Sequence, residues 1–231
     1  MNMQKIAPLA APLLLALCGQ AAAQSPTGIG AASSSVSGLV KNGHPGFVTN
    51  NWYVPFASLA TAGTPVTPGA GKIVCAYGTV GYPVTLNTLG IVVTTTDNTK
   101  RFQLGIYSNG SWGRPSTLLA NTADITLSAS TGAYTGAVSV SIQDGGAWFC
   151  INTESTVAVF VSLATATNNV MSSLLGSATQ TTVGSQSASI TGISVAQSYG
   201  SWPASFGSGQ GWTEIATAIT PYIQFKVASS P

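Results

Sequence analysis

Hydrophobic and polar residues alternate along several short segments of the 231-residue chain. In residues 101–106, 138–142 and 223–227, every second side chain is apolar and the residues between them are mostly polar or small. Successive side chains of a β-strand point to opposite faces of its sheet. This period of two therefore predicts strands that bury one face and expose the other.

Two further segments, residues 89–93 and 157–161, are nearly continuous apolar runs. They predict strands that are covered on both faces by sheet or by a neighbouring subunit. Sustained helical periodicity is absent from the sequence, and residues 168–175 are the best short helix candidate. The nine predicted strands are residues 72–77, 84–95, 101–107, 118–127, 134–142, 147–152, 157–163, 188–196 and 222–228.

The number and spacing of these strands indicate an all-β fold, an antiparallel β-sandwich of jelly-roll-like type preceded by an extended N-terminal arm. Gly and Pro are frequent, with 26 and 12 copies, and supply the turns that short strands require. The sandwich domain is predicted over residues 51–231, and residues 24–50 form a Gly/Ser-rich arm or linker.

Charged residues make up 5% of the chain, against roughly 25% in an ordinary soluble protein. Hydroxyl and amide side chains must therefore solvate the surface. The formal net charge is +2 and the longest basic run is the pair Lys100 and Arg101. Nucleic acid is not an expected partner, because phosphate binding requires clustered Lys and Arg side chains.

Residues 1–23 have the pattern of a cleaved secretory signal. Lys5 precedes an apolar run over residues 6–17, and small residues follow at positions 21–23. The run is shorter than the roughly 20 apolar residues that span a bilayer. Two alternatives stay open: a lipid anchor at Cys18, and a retained apolar arm that docks on a partner.

Removal of the signal would leave Cys75 and Cys150, an even pair in an exported chain. Both cysteines lie in apolar, strand-like segments, so a disulfide between two strands is geometrically plausible. The alternative is that both are buried free thiols that pack as small hydrophobic residues.

The series LNTLGIVVTT, RFQLGIYSNGSWGRPSTLLANT and VSVSIQDGGAWFCINTES resembles a β-sandwich domain of phage virion proteins, of tail fibre, head fibre or decoration type. The resemblance extends over roughly residues 50–231. It implies a structural subunit that forms a homo-oligomer, such as a trimer, docks on a capsid or tail protein, and contacts a cell-surface glycan. The residues that carry it are 104–107, 113–115, 118–120, 138–142, 145–146 and 148–152.

The sequence offers little that could drive a reaction, and it predicts neither an enzyme nor a cofactor or metal site. The single histidine, His44, lies in the Gly-rich arm, and no Gly-x-Ser-x-Gly elbow is present. A glycosidase requires two carboxylates across a cleft. Asp144 and Glu154 are an example of a pair that this sequence could supply. The pair Asp97 and Asn98 is too small a ligand set for calcium.

Aromatic side chains in turn-rich segments remain as candidates for surface contact. The predicted contact residues are Trp112, Arg114, Trp202 and Trp212. An alternative interpretation assigns Trp52, Trp148 and Trp202 to packing in the core or in an interface.

Two functions fit these observations. The first is a non-enzymatic structural component of a phage particle (decoration, fibre or whisker subunit) with host attachment, located in the virion. The second is a carbohydrate-binding or adhesin module, secreted or held at the cell surface after signal cleavage. A cleaved signal and a Cys75–Cys150 bridge would favour the second.

Overall fold

The computed structural model describes residues 47–55, 65–80, 82–111, 113–143, 145–162, 192–215, 220 and 222–229, all within the unit Gly46–Pro231. These residues contain strands and turns but no helix, and hence no helix that could cross a membrane. The strands are β1 (Trp52–Tyr53), β2 (Lys72–Val80), β3 (Val84–Thr95), β4 (Arg101–Asn109), β5 (Pro115–Asn121), β6 (Ile125–Thr126), β7 (Gly132–Ile142), β8 (Gly145–Thr153), β9 (Val159–Phe160), β10 (Gly192–Ala196), β11 (Thr213–Ile215) and β12 (Gln224–Ser229).

The strands form two antiparallel sheets that pack against each other. The smaller sheet has the order β1-β12-β3-β7, with β9 also paired to β3. The larger sheet has the order β11-β10-β2-β8-β4-β5, with β6 also paired to β4. Most consecutive strands belong to different sheets, so the chain passes repeatedly across the sandwich. The predicted antiparallel β-sandwich is confirmed.

The main core lies between the sheets and follows the alternation in the sequence. On β4, Phe102, Leu104 and Ile106 are fully buried, and on β12 Phe225 and Val227 face them from the other sheet. The residues between them on each strand point to the outer faces, as the period of two requires. The predicted inward faces of these strands are therefore confirmed.

The sandwich extends towards the N-terminus at least to Phe47. This ring packs edge-on against Tyr53 at 4.9 Å and against Phe225 at 5.8 Å between ring centroids. The backbone N–H of Asn50 also donates to the carbonyl of Val227 at 2.8 Å. Residues 47–50, which the sequence analysis placed in the arm, thus pack with the β-sandwich. The rest of the predicted arm and the signal-like residues 1–23 lie outside the described residues.

A second apolar cluster covers the outer face of the larger sheet. Cys75 of β2 lies directly opposite Cys150 of β8, and a disulfide joins them. Both are fully buried, and the predicted bridge is confirmed. The other buried members of this cluster are Ile73, Tyr107, Trp148, Ile193, Val195 and Phe206.

The single strand predicted over residues 118–127 is wrong, because the chain breaks there into β5 and β6. Both strands pair with the same edge of β4, and Thr122 lies between them. The backbone N–H of Thr122 donates to the carbonyl of Leu104, and the Leu104 N–H donates to the Thr122 hydroxyl. These bonds satisfy the buried backbone of β4 where the ladder is interrupted.

The long strand predicted over residues 157–163 is also wrong: within its described part, only Val159–Phe160 is a strand. The Ser155 hydroxyl accepts hydrogen bonds from the backbone N–H groups of Val157 and Ala158, and so holds a turn there. Val157 is 57% exposed, so the sheets of this chain do not cover it on both faces. The helix candidate over residues 168–175 falls outside the described residues.

Candidate functional site

The segment that follows β10 lies against the outer face of the larger sheet, alongside β5. The Phe206 N–H donates to the carbonyl of Ser116 at 2.8 Å, and the Leu118 N–H donates to the carbonyl of Ala204 at 2.9 Å. The Tyr107 hydroxyl donates to the carbonyl of Pro203 at 2.9 Å. These bonds fix the segment on the sheet, and its aromatic side chains define the first candidate contact surface.

Trp202 of this segment packs directly on the sheet, at a position where the strand carries a glycine. A Cβ atom added to Gly105 of β4 would lie 2.7 Å from Cη2 of Trp202, so the indole needs a glycine beneath it. The ring stacks on Tyr107 at 6.0 Å between centroids, and its Nε1 donates to Oε1 of Gln103 at 2.6 Å. Trp202 is half-buried as a result, in agreement with the packing interpretation of this residue.

Trp212 continues the aromatic row on the same face. Its ring packs edge-on against Phe206 at 4.7 Å, and Phe206 contacts Tyr107 at 4.9 Å. The indole Nε1 of Trp212 is buried and has no acceptor among the described residues. The predicted contact residues Trp202 and Trp212 therefore belong to one aromatic row, but both contribute to packing.

Arg114 forms an ion pair with Glu214 at 2.8 Å, with side-chain exposures of 26% and 42%. Arg114 precedes β5 and Glu214 lies on β11, and these strands are the two ends of the order of the larger sheet. The ion pair therefore links the corner before β5, at one edge of the larger sheet, to β11 at the opposite edge. Trp112, the other predicted contact residue of this corner, lies outside the described residues.

A network of charged side chains adjoins the aromatic row. Arg101 donates to Asp124 at 2.7 Å and to Glu154 at 3.1 Å. Asp124 also accepts hydrogen bonds from Nε2 of Gln103 at 2.9 Å and from the Tyr199 hydroxyl at 2.7 Å. The guanidinium lies 5.2 Å from the centroid of the Tyr199 ring, within cation–π distance. The network is therefore tied to Trp202 through Gln103.

The network shifts the pKa values of Glu154 and Tyr199 in opposite directions. The hydrogen bond from Arg101 is the main cause that lowers the pKa of Glu154 below its ordinary value of 4.5. Burial, together with the hydrogen bond to Asp124, raises the pKa of Tyr199. Glu154 is therefore ionised and Tyr199 protonated at neutral pH, so neither is poised to exchange a proton there.

The carboxylates considered for catalysis or metal binding have structural partners where they are described. Asp97 accepts a hydrogen bond from the Ser155 hydroxyl at 2.7 Å, beside the turn before β9. Asp144, the possible partner of Glu154 in a glycosidase pair, lies outside the described residues. Within the described ranges, no group of three or more His, Cys, Asp or Glu side chains could hold a metal ion.

A second candidate contact surface lies on the outer face of the smaller sheet, at Trp52. Trp52 is 42% exposed and therefore does not belong to the core, whereas Trp148 is fully buried, as the packing interpretation expects. Packing of Trp52 in an interface stays a prediction. Tyr53, the next residue on β1, packs inward on Phe225, so Trp52 must point to the opposite face. The period of two would have identified this orientation if β1 had been recognised as a strand.

Comparison with known proteins assigns no family to the chain: no protein-family model matches it, and no curated protein sequence matches it.

Proposed function

We propose that this chain is an exported, non-enzymatic β-sandwich that acts as a contact module of the adhesin or carbohydrate-binding type. The disulfide between Cys75 and Cys150 is the observation that carries this proposal. It links two neighbouring strands at the centre of the larger sheet. Disulfides persist in oxidising compartments and are rare in the cytosol, where thiols are kept reduced. The bridge thus agrees with the signal pattern of residues 1–23.

The side chains on the outer faces of the two sheets favour a binding function over a catalytic one. On the larger sheet, Arg101 forms ion pairs with both Asp124 and Glu154 within one hydrogen-bonding network. On the smaller sheet, the exposed ring of Trp52 offers apolar area beside polar side chains. A surface with few charges suits binding to uncharged partners, and only 5% of the residues of the chain are charged.

A structural component of a phage particle is the second candidate function, and the sequence resemblance supports it. The residues that carry the resemblance lie on β4, in the corner before β5, on β5, on β7 and on β8. In that setting the chain would form a homo-oligomer, such as a trimer, and dock on a capsid or tail protein. These partners stay a prediction.

Fractionation and intact-mass analysis test the first proposal. We expect the full chain, expressed in a bacterium with a periplasm, to be recovered outside the cytoplasm without residues 1–23. Its mass should be two hydrogen atoms below that of the reduced chain, because the bridge forms after export. Leu14→Arg is the matched control, since a charge within the apolar run should block export and leave free thiols.

The opposite result would contradict the proposal. If the full-length chain stays in the cytoplasm with both thiols free, export is refuted. Co-sedimentation of the uncleaved chain with phage particles from its natural source would then support the particle component.

A further inference from the structure

We propose that the outer face of the smaller sheet binds a neutral oligosaccharide, with the indole of Trp52 stacking on a pyranose ring. This inference rests on the proposed function of the chain as a contact module. It names a binding site, the Trp52 platform, which consists of Trp52 and the side chains around it on that face: Thr135, Gln224 and Lys226.

The indole of Trp52 lies along the sheet rather than standing on it. A Cβ atom added to Gly90 of β3 would lie 3.0 Å from Cζ3 and 3.1 Å from Cη2 of Trp52. Trp52 belongs to β1, and β12 separates β1 from β3. Neighbouring strands are about 4.8 Å apart. The ring must therefore extend across β12 to reach β3, and this leaves 42% of the residue exposed.

Polar side chains surround this ring. Lys226 is the direct cross-strand partner of Trp52, and Gln224 is paired with Gly90. Both alternate along β12 with the buried residues Phe225 and Val227, so they point outward. Lys226 and Gln224 therefore share the outer face with Trp52, and their ammonium and amide groups can donate hydrogen bonds.

Thr135 of β7 completes the platform at the far edge of the ring. It is paired with Gly90, and its Cγ2 would lie 3.4 Å from a Cβ atom added there. Thr135 is exposed, and its hydroxyl can both donate and accept a hydrogen bond. The platform residues therefore include no carboxylate and a single cation.

A neutral pyranose fits this arrangement. One face of a pyranose carries C–H groups that can bury apolar area on an indole, while its hydroxyl groups project from the rim towards polar partners. A polyanion would be favoured by several cations, but Lys226 is the only one among the platform residues. The platform thus favours an uncharged sugar over a polyanion such as a nucleic acid.

Affinity electrophoresis tests the inference, with the full chain run through gels that contain dextran, mixed-linkage β-glucan or galactomannan. We expect at least one of these neutral polysaccharides to retard the protein. Trp52→Ala should weaken that retardation about tenfold or more, because an aromatic anchor contributes much of the energy of a contact. Leu119→Ala is the control and should bind like the wild type, since it removes an exposed apolar side chain from β5 of the other sheet.

A second variant keeps the test independent of any folding defect in Trp52→Ala. Thr135→Glu changes an exposed residue and should leave the melting temperature unchanged, but it places a charge at the edge of the ring and should abolish the retardation. Absence of retardation in all three polysaccharides, or equal retardation of Trp52→Ala, would overturn the inference. So would conversion of an oligomer to a monomer by Trp52→Ala, which would make the platform a protein interface. The mass and fractionation experiment tests export separately, so the two proposals can fail independently.

Discussion

At the scale of single residues, both outer faces of the sandwich use the same pairing of a tryptophan with a glycine. Trp202 lies on Gly105 of the larger sheet, and Trp52 lies on Gly90 of the smaller sheet. In each pair the absence of a Cβ atom lets the indole reach the backbone of a strand. These glycines are required for close approach.

The first prediction concerns Gly105→Ala. The added methyl would overlap the indole of Trp202, with Cη2 at 2.7 Å and Cε3 at 2.9 Å from the new carbon atom. We expect the free energy of unfolding to fall by about 1 to 3 kcal/mol, the usual cost of overpacking. Urea denaturation measures the change. Gly207→Ala is the control, because nothing lies within 4 Å of its added Cβ; equal stability of the two variants would contradict the packing of Trp202.

At the scale of elements, β4 shows how one strand serves two clusters. Phe102 and Leu104 belong to the core between the sheets, whereas Tyr107 belongs to the cluster on the outer face. Both sides of β4 are therefore covered, although its sequence alternates as in a half-buried strand. Polar residues on its outer face, such as Gln103, have hydrogen-bond partners because the segment after β10 supplies them.

The second prediction concerns Leu104→Asp. Leu104 is fully buried between the sheets, where a carboxylate would have neither water nor a cation. We expect a loss of more than about 4 kcal/mol in the free energy of unfolding, enough to prevent folding of a marginally stable domain. Circular dichroism and solubility report the result.

Leu119→Asp makes the same chemical change on β5, at a residue that is 38% exposed. We expect this control to fold, with a change within about 0.5 kcal/mol. A soluble Leu104→Asp variant with a cooperative thermal transition would show that the inward face of β4 is misassigned.

At the scale of the whole molecule, the disulfide joins segments 75 residues apart in the sequence. It connects β2, near the start of the described sandwich, to β8, which follows the long excursion through β3 to β7. In the chain-entropy model, closure of a loop of this length restricts the unfolded chain and so stabilises the folded one.

The third prediction is that the double variant Cys75→Ala, Cys150→Ala loses about 4 kcal/mol of unfolding free energy. Denaturant titration with and without a reducing agent provides the measurement. The reducing agent should destabilise the wild type to nearly the same extent and leave the double variant unchanged. If the reducing agent leaves the denaturant titration of the wild type unchanged, even when it is added to the unfolded chain, the two cysteines are not bridged.

The sequence by itself determined the fold class and the inward faces of the strands, and it offered the disulfide between Cys75 and Cys150 as one of two alternatives. The spacing of apolar residues is a local property of a strand, and β3 has the predicted bounds of residues 84–95. Cys75 and Cys150 were predicted as a pair because removal of the signal-like residues 1–23 would leave these two cysteines. These features depend on residue type and on near neighbours along the chain.

Only the tertiary structure decided which outer faces are covered. The placement of residues 197–212 over the larger sheet half-buries Trp202, and the inward packing of Tyr53 exposes Trp52. Similarly, the network of Arg101 joins Asp124 and Glu154, which lie 23 and 53 residues away. These contacts depend on pairing between strands distant in sequence, whose register is set by the packing of the two sheets as a whole rather than by the residues of any one strand.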